Sequence, residues 1–196
     1  VLAPRQLTQP TVAQALNEQR LIAGSTSLVQ MSPLRQRLST LKDALAMQPG
    51  VIIQEFFGLN DQPRLNIRGS GIQSNPQRRG VYLLQDGIPV NFADGSYIIG
   101  VMDPMTAHFV EVFKGANALN FGASTLGGAI NFVSPTANKQ HGANMLVKAE
   151  GGSYGYRAVA ASMGYRWQTS DAHISTSYSA QDGHRLYNHN TRWSIA

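Results

Sequence analysis

The rhythm of hydrophobic and polar positions changes at Pro135. From Ala143 onward the two classes alternate, the period of a strand with one apolar and one polar face. Ala143, Met145, Val147 and Ala149 share a face opposite Asn144, Lys148 and Glu150, with Leu146 breaking the pattern. Val159, Ala161, Met163, Tyr165 and Trp167 then lie opposite Ala158, Ser162, Gly164 and Arg166. Ala172, Ile174, Thr176, Tyr178 and Ala180 oppose His173, Ser175, Ser177 and Ser179, and "GGSYG" and "QTSD" form the turns. The pattern predicts about three consecutive antiparallel strands. Alternation leaves open which face is wet: a soluble sheet buries its apolar face, and a membrane barrel turns it to lipid. Two details favour the barrel. The polar face is small and hydroxylated, as a water-filled lumen requires, and Tyr165 and Trp167 stand at one end of the apolar face, the place of an interfacial girdle.

Before Pro135 the pieces are shorter. Residues 1–30 read as polar and irregular, with "TVAQALNEQRLI" as a short helix. In "SPLRQRLSTLKDALAMQPGV", Leu38, Leu41 and Leu45 recur at helical spacing, with Ser39 as cap and Pro49-Gly50 as stop. "VIIQEFF" (51–57) and "PRLNIRG" (63–69) read as strands, and "SGIQSNPQ" as a polar loop. "RGVYLLQDGIPV" is a strand that turns at Asp86-Gly87 into a second extended piece, because Asp-Gly between apolar runs is a strong hairpin signal. "NFADGSY" is a loop, "DPMTAHFVEVFKG" a turn followed by a strand, and "AINFVSP" a strand closed by proline.

Composition narrows the function. Sixteen Lys+Arg against eleven Asp+Glu give a net charge of +5 over 196 residues, with no run of like charge, which argues against nucleic acid as a partner. The absence of cysteine excludes disulfides, thiolate metal sites and cysteine nucleophiles. No basic-then-apolar leader stands at "VLAPRQLTQP", and apolar runs reach only about five residues, too short for a membrane helix, so a membrane role requires strands.

Candidate chemistry is sparse. "FGASTLGGAINFVS" holds Gly122 and Gly127 at phosphate-loop spacing, yet Gly128 and Ala129 stand where that loop needs a lysine and a hydroxyl. These glycines are expected to serve tight turns or close chain approach. His184 and His189 near Asp182 read as a solvated loop rather than a metal site, and His108 as a packing or turn residue. No hydrolytic constellation is present; the expectation is neither an enzyme nor a cofactor binder.

Four short motifs occur in a fixed order: "LNIRGSG" (65–71), "LLQDGIPV" (83–90), "VEVFKG" (110–115) and "GASTLGGAIN" (122–131), preceded by "LKDALAMQPGV". In this order they resemble the plug domain of a TonB-dependent outer-membrane receptor, followed by the first strands of its barrel; the resemblance is greatest to siderophore-type receptors, including those for ferric dicitrate. It implies an α+β plug domain, a small mixed sheet with short helices, followed by antiparallel β-strands of an incomplete transmembrane β-barrel. The expected organisation is a polar N-terminal segment 1–30, a plug 31–137 and the start of the barrel at 138–196. A TonB box is not recognisable in residues 1–30, "QLTQPTV" matching poorly. A family barrel of ~22 strands needs far more chain, so this stretch is expected to be the front of something longer.

The resemblance further implies uptake of a ferric siderophore or citrate-type chelate, with the plug gating the lumen. TonB of the TonB–ExbB–ExbD complex and outer-membrane lipid are the other implied partners. Haem, cobalamin, copper or zinc complexes are alternative cargoes, and a soluble β-rich binding domain is the alternative of another class. Substrate contacts are expected in two apex loops: Gln73, Asn75, Arg78 and Arg79, then Asn91, Asp94 and Tyr97. Arginine suits an anionic chelate because its planar fork pairs with carboxylates, although Arg78 and Arg79 facing acids of the barrel wall is an equal alternative. Arg68, Gly69, Asp86, Gly87, Glu111, Lys114, Gly115, Gly122, Gly127 and Gly128 are expected to be structural motif residues.

Overall fold

The computed structural model describes residues 10–31, 40–55, 63–70, 79–122, 127–136, 142–168, 170–183 and 188–196. Helix α1 (Val12–Leu21) opens at Thr11, whose hydroxyl accepts from Gln14 N while the Gln14 side chain accepts from Thr11 N. Helix α2 (Leu41–Leu45) opens the same way, with Thr40 as cap and Asp43 answering it. Reciprocal caps satisfy amides that a helix start leaves unpaired. The cap of α2 is thus Thr40, while Leu38 and the expected cap Ser39 fall outside the described residues.

Five strands form a mixed sheet in the order β1-β6-β7-β4-β5. They are β1 (Thr26–Gln30), β4 (Val81–Gln85), β5 (Ile88–Pro89), β6 (Phe109–Lys114) and β7 (Gly128–Val133). Among the described residues, only β4 and β7 pair in parallel. A separate hairpin joins β2 (Val51–Gln54) to β3 (Arg64–Ile67). Strand β1 corrects the reading of residues 1–30 as irregular: it pairs with β6 as an edge strand, from Thr26↔Phe113 to Gln30↔Phe109.

Strands β6 and β7 are buried at every position, since both faces of the sheet are covered. Val81, Leu83, Val110, Val112, Ile130 and Phe132 pack with Leu41 and Leu45 of α2 and Leu65 and Ile67 of β3. On the opposite face Phe109 and Val133 hold Ala15 of α1. Two polar residues of these strands answer each other there: Asn131 Nδ2 donates to Glu111 Oε2 at 2.7 Å, and Gln19 of α1 donates to Glu111 Oε1 at 3.5 Å.

A second sheet, ordered β11-β10-β9-β8, comprises β8 (Gly142–Gly151), β9 (Arg157–Arg166), β10 (Asp171–Gln181) and β11 (Asn190–Ile195). Strands of 10, 10 and 11 residues in β8 to β10 match the ~9–11 that a tilted membrane strand needs. The fourth strand, β11, is an addition to the three expected; six residues at the end of the pattern carry too little alternation to stand out.

The two faces of this sheet differ in what covers them. Met145, Met163 and Ile174 form one cross-strand row, and Ala149, Val159, Tyr178 and Trp193 another. The large side chains of both rows are exposed, Met163 at 55% and Trp193 at 74%. Ser175, Ser177 and Ser179 point the other way and are buried. The hydroxyl-bearing face is the one against the chain that precedes β6: Met105 packs on Tyr156 and Ala158, and Arg192 Nη2 donates to the Met102 carbonyl at 2.7 Å. Among the described residues no helix is long and apolar enough to cross a membrane.

Candidate functional site

Register places the motifs at two ends of the five-stranded sheet. Val81 of β4 and Lys114 of β6 both stand beside Gly128 of β7, so Arg79, Gly115 and Gly127 collect at one end. The Asp86–Gly87 turn lies at the other, beside Phe132. Chain 90–97 returns from that turn toward the first end.

There, Arg79 Nη2 donates to Asp94 Oδ2 at 2.9 Å, with both side chains about half exposed. Asp94 Oδ1 accepts from Ser96 Oγ at 2.6 Å and Ser96 N at 3.0 Å. The Ser96 hydroxyl, the Ser96 amide and then Arg79 hold the Asp94 carboxyl down at about 2. Asn91 faces inward: its amide donates to the carbonyls of Val81 and Gly95 and its oxygen accepts from Leu83 N at 2.8 Å, fastening the loop to β4. Tyr97 is buried, and its hydroxyl donates to the Leu65 carbonyl at 3.2 Å. Of the expected contact residues, Arg79 and Asp94 therefore meet at the surface, and Asn91 and Tyr97 support the loop that presents them. Gln73, Asn75 and Arg78 lie outside the described residues.

The glycine motifs share this end. A Cβ on Gly128 would overlap the Phe113 carbonyl, and one on Gly127 would overlap the Ser70 hydroxyl and stand 2.7 Å from the Ile67 carbonyl. Gly127 N donates to the Gly80 carbonyl and Gly115 N to the Gly127 carbonyl, so three chain segments are laced together there. Gly122 has φ 150, and its added Cβ would lie against the Tyr82 ring. Arg68 and Gly69 both take positive φ, in a turn held by Gly69 N donating to Asn66 Oδ1 at 2.8 Å. Lys114 is buried; desolvation first and the charge of Arg68 second push its ammonium pKa down. Gly115 has φ 66, and a Cβ there would come 2.9 Å from Arg68 Nη1.

At the opposite end Asp86 (φ 55) and Gly87 (φ 82) make the hairpin turn that the pair predicts, with positive φ at both central residues. Both carboxylate oxygens of Asp86 are engaged, Oδ1 by Ser134 N and Oδ2 by Ser134 Oγ, each at 2.7 Å. Gly87 N donates to Asn131 Oδ1 at 2.9 Å. The turn is thereby tied to the point where the chain leaves β7 for the second sheet. His189 pairs with Asp182 at 2.9 Å, whereas His184 is outside the described residues.

Sequence reasoning passed over Asp103, which accepts from Ser177 and Ser194 in the second sheet. Partners separated by 74 and 91 residues leave no local signal. Only the serine alternation of β10 pointed toward a polar counterpart.

The TonB-dependent receptor plug domain model matches residues 18–129. The vitamin B12 transporter BtuB of Vibrio vulnificus is 27% identical over 128 residues, covering 63% of this chain and 20% of that protein. Among solved structures, the copper transporter OprC aligns with TM-score 0.63 at 18% identity, covering 80% of this chain and 24% of that one. The ferric enterobactin receptor PfeA of Pseudomonas aeruginosa, as a mutant, aligns with TM-score 0.62 at 17% identity, covering 87% and 26%. The chain thus spans about a fifth to a quarter of the relatives it matches. The low identities speak for the fold, and the family match, which covers more than half the chain, speaks for descent: the chain belongs to the TonB-dependent receptors, outer-membrane β-barrel proteins whose plug sits inside the barrel.

Proposed function

We propose that the chain is the plug and leading wall strands of a receptor that takes up a ferric siderophore or ferric citrate-type chelate, with TonB as the energy-coupling partner. The observation that carries this reading is the sidedness of the second sheet. Its serine face lies under the plug while its Met, Ile, Tyr and Trp face is bare. A soluble binding domain would leave that apolar face in water, at about 25 cal/mol for each Å². Lipid removes the cost, and a plug with a polar surface fills the lumen side.

The cargo reading rests on Arg79. Asp94 neutralises it at rest, and the carboxylate is prepaid by Ser96, so the guanidinium stays ordered without being consumed. A chelate bearing carboxylates or catecholates competes for the same planar fork. Gln73, Asn75 and Arg78 belong to the same proposed contact set by their sequence position. The cargoes of BtuB, OprC and PfeA differ in kind, as their names state, so the fold is compatible with several ligand chemistries.

The test is a binding and uptake panel on the full-length receptor in cells lacking other receptors, with and without TonB: ferric citrate, hydroxamate and catecholate chelates, haemin, cobalamin, and copper and zinc complexes. Saturable, TonB-dependent uptake of an iron chelate is expected. The Arg78→Ala, Arg79→Ala double variant is expected to bind it about tenfold more weakly. Uptake of cobalamin, haemin or a copper or zinc complex alone replaces the cargo; unchanged affinity in the variant removes the two arginines from the site.

A further inference from the structure

Resting on the receptor reading above, we propose that the turn Met102–Thr106 is the permanent seat of the plug on the wall, with Asp103 as its positioning residue. One carboxylate oxygen, Asp103 Oδ2, accepts from the hydroxyls of Ser177 on β10 and Ser194 on β11, and these two hydroxyls are themselves 2.8 Å apart. The other oxygen, Oδ1, accepts from Met105 N at 2.9 Å, and Thr106 Oγ1 donates to the Asp103 carbonyl at 3.0 Å. The turn is thus closed on itself, and its remaining acceptor capacity is spent on the wall. Arg192 of β11 adds a charge-assisted bond to the Met102 carbonyl, and Met105 sets its side chain on Tyr156 and Ala158 at the start of β9.

Five residues of plug therefore engage three adjacent segments of the wall sheet, by two chemistries at once. Bonds to a charged group are about twice as strong as neutral ones, and removing the donors strands a partly buried carboxylate. The apex pair is built in the opposite way. Arg79 and Asp94 are both about half exposed, and among the described residues their bonds lie within the plug. A contact that is charge-assisted, partly buried and backed by packing suits a fixed point; an exposed pair suits a part that rearranges. The position of the turn agrees. It immediately precedes β6, and β6 pairs along its whole length with β7, the strand that continues into the wall. Asp103 and the covalent passage out of β7 hold that pair from two sides.

The experiment uses the full-length receptor in outer membranes. Entry of vancomycin, which an occluded barrel excludes, is measured for wild type and for Ser177→Ala, Ser194→Ala, with receptor quantity in the membrane as a control. Entry is expected to rise several-fold in the double variant and in Asp103→Ala, and to fall back toward the wild-type level in Asp103→Glu. Entry that stays at the wild-type level overturns the seat. Permanence is tested with Asp103→Cys, Ser177→Cys, using as probe the first iron chelate the wild type is found to import. Oxidised and reduced receptor are expected to import it within about twofold of each other; a loss on oxidation that reductant restores shows that the seat must open, and overturns permanence. A wild-type receptor already permeable to vancomycin refutes the plugged-barrel reading instead, and a wild type as closed as the variant refutes the seat alone.

Discussion

At the scale of single residues, Gly128 is a site where one added methyl group meets backbone. Its added Cβ would overlap the Phe113 carbonyl, a backbone atom of β6 that cannot rotate away, and come within 3.0 Å of Ile67 Cδ1. Gly128→Ala is expected to lower stability by about 1–3 kcal/mol in a thermal melt, the range for an overfilled core. Gly69→Ala makes a control: a Cβ there meets nothing within 4 Å, and only the positive φ of 87 resists it, at about 1 kcal/mol. Equal losses at the two sites would show that packing at Gly128 is looser than described. The Arg79–Asp94 pair supplies a pH test. Its carboxyl sits at about 2 against an ordinary 3.8, so what it adds to the loop is complete above the ordinary value and disappears as pH falls through about 2. Carboxyl NMR of Asp94 is expected to show a midpoint near 2 that rises in Ser96→Ala; a midpoint near 3.8 in the wild type would mean that Ser96 and Arg79 do not engage it in solution.

Elements divide by whether their signal is local. The Asp86–Gly87 turn and helix α1 were legible because each is determined by residues close together in the chain. Strand β1 was not. "TSLVQ" becomes a strand because β6 offers a free edge more than eighty residues later, and no pattern within five residues reports that edge. Asn91 and Tyr97 show the same limit within the candidate site. Their polar groups suggested ligand contact, while the acceptors they serve, in β4 and β3, are fixed by tertiary packing. Helix α1 is a lightly held element, burying only Ala15 and Gln19 and leaving Leu21 exposed. Ala15→Asp places an unpaired carboxylate against Phe109 and Val133, at about 1–3 kcal/mol. Amide exchange across Val12–Leu21 is expected to speed by tenfold or more in this variant while β6 and β7 keep wild-type protection. Loss of protection in all three would mean that α1 and the sheet open as one unit.

For the whole molecule, the decisive quantity is what the bare face of the wall sheet touches. Tyr165 and Trp167 stand edge to face with ring centroids 4.6 Å apart at one end of that face, and Tyr178 and Trp193 are paired across strands at the other. Between these aromatic ends lie Met145, Met163 and Ile174 in one row and Val147, Ala161, Thr176 and Ile195 in the next. If this face meets lipid, substitution cost must depend on depth. Met163→Arg, in the middle of the band, is expected to cost about 2–4 kcal/mol when the full-length receptor is unfolded by guanidinium from phospholipid vesicles, and Tyr165→Arg, at the interface, about 0–1 from loss of lipid burial. Water on the same face predicts a different order. Met163 is 55% exposed, so an arginine there would be solvated and nearly neutral, while Tyr165→Arg would still lose the stacked Trp167. The ratio of the two costs therefore separates a membrane wall from a soluble sheet without any knowledge of the cargo.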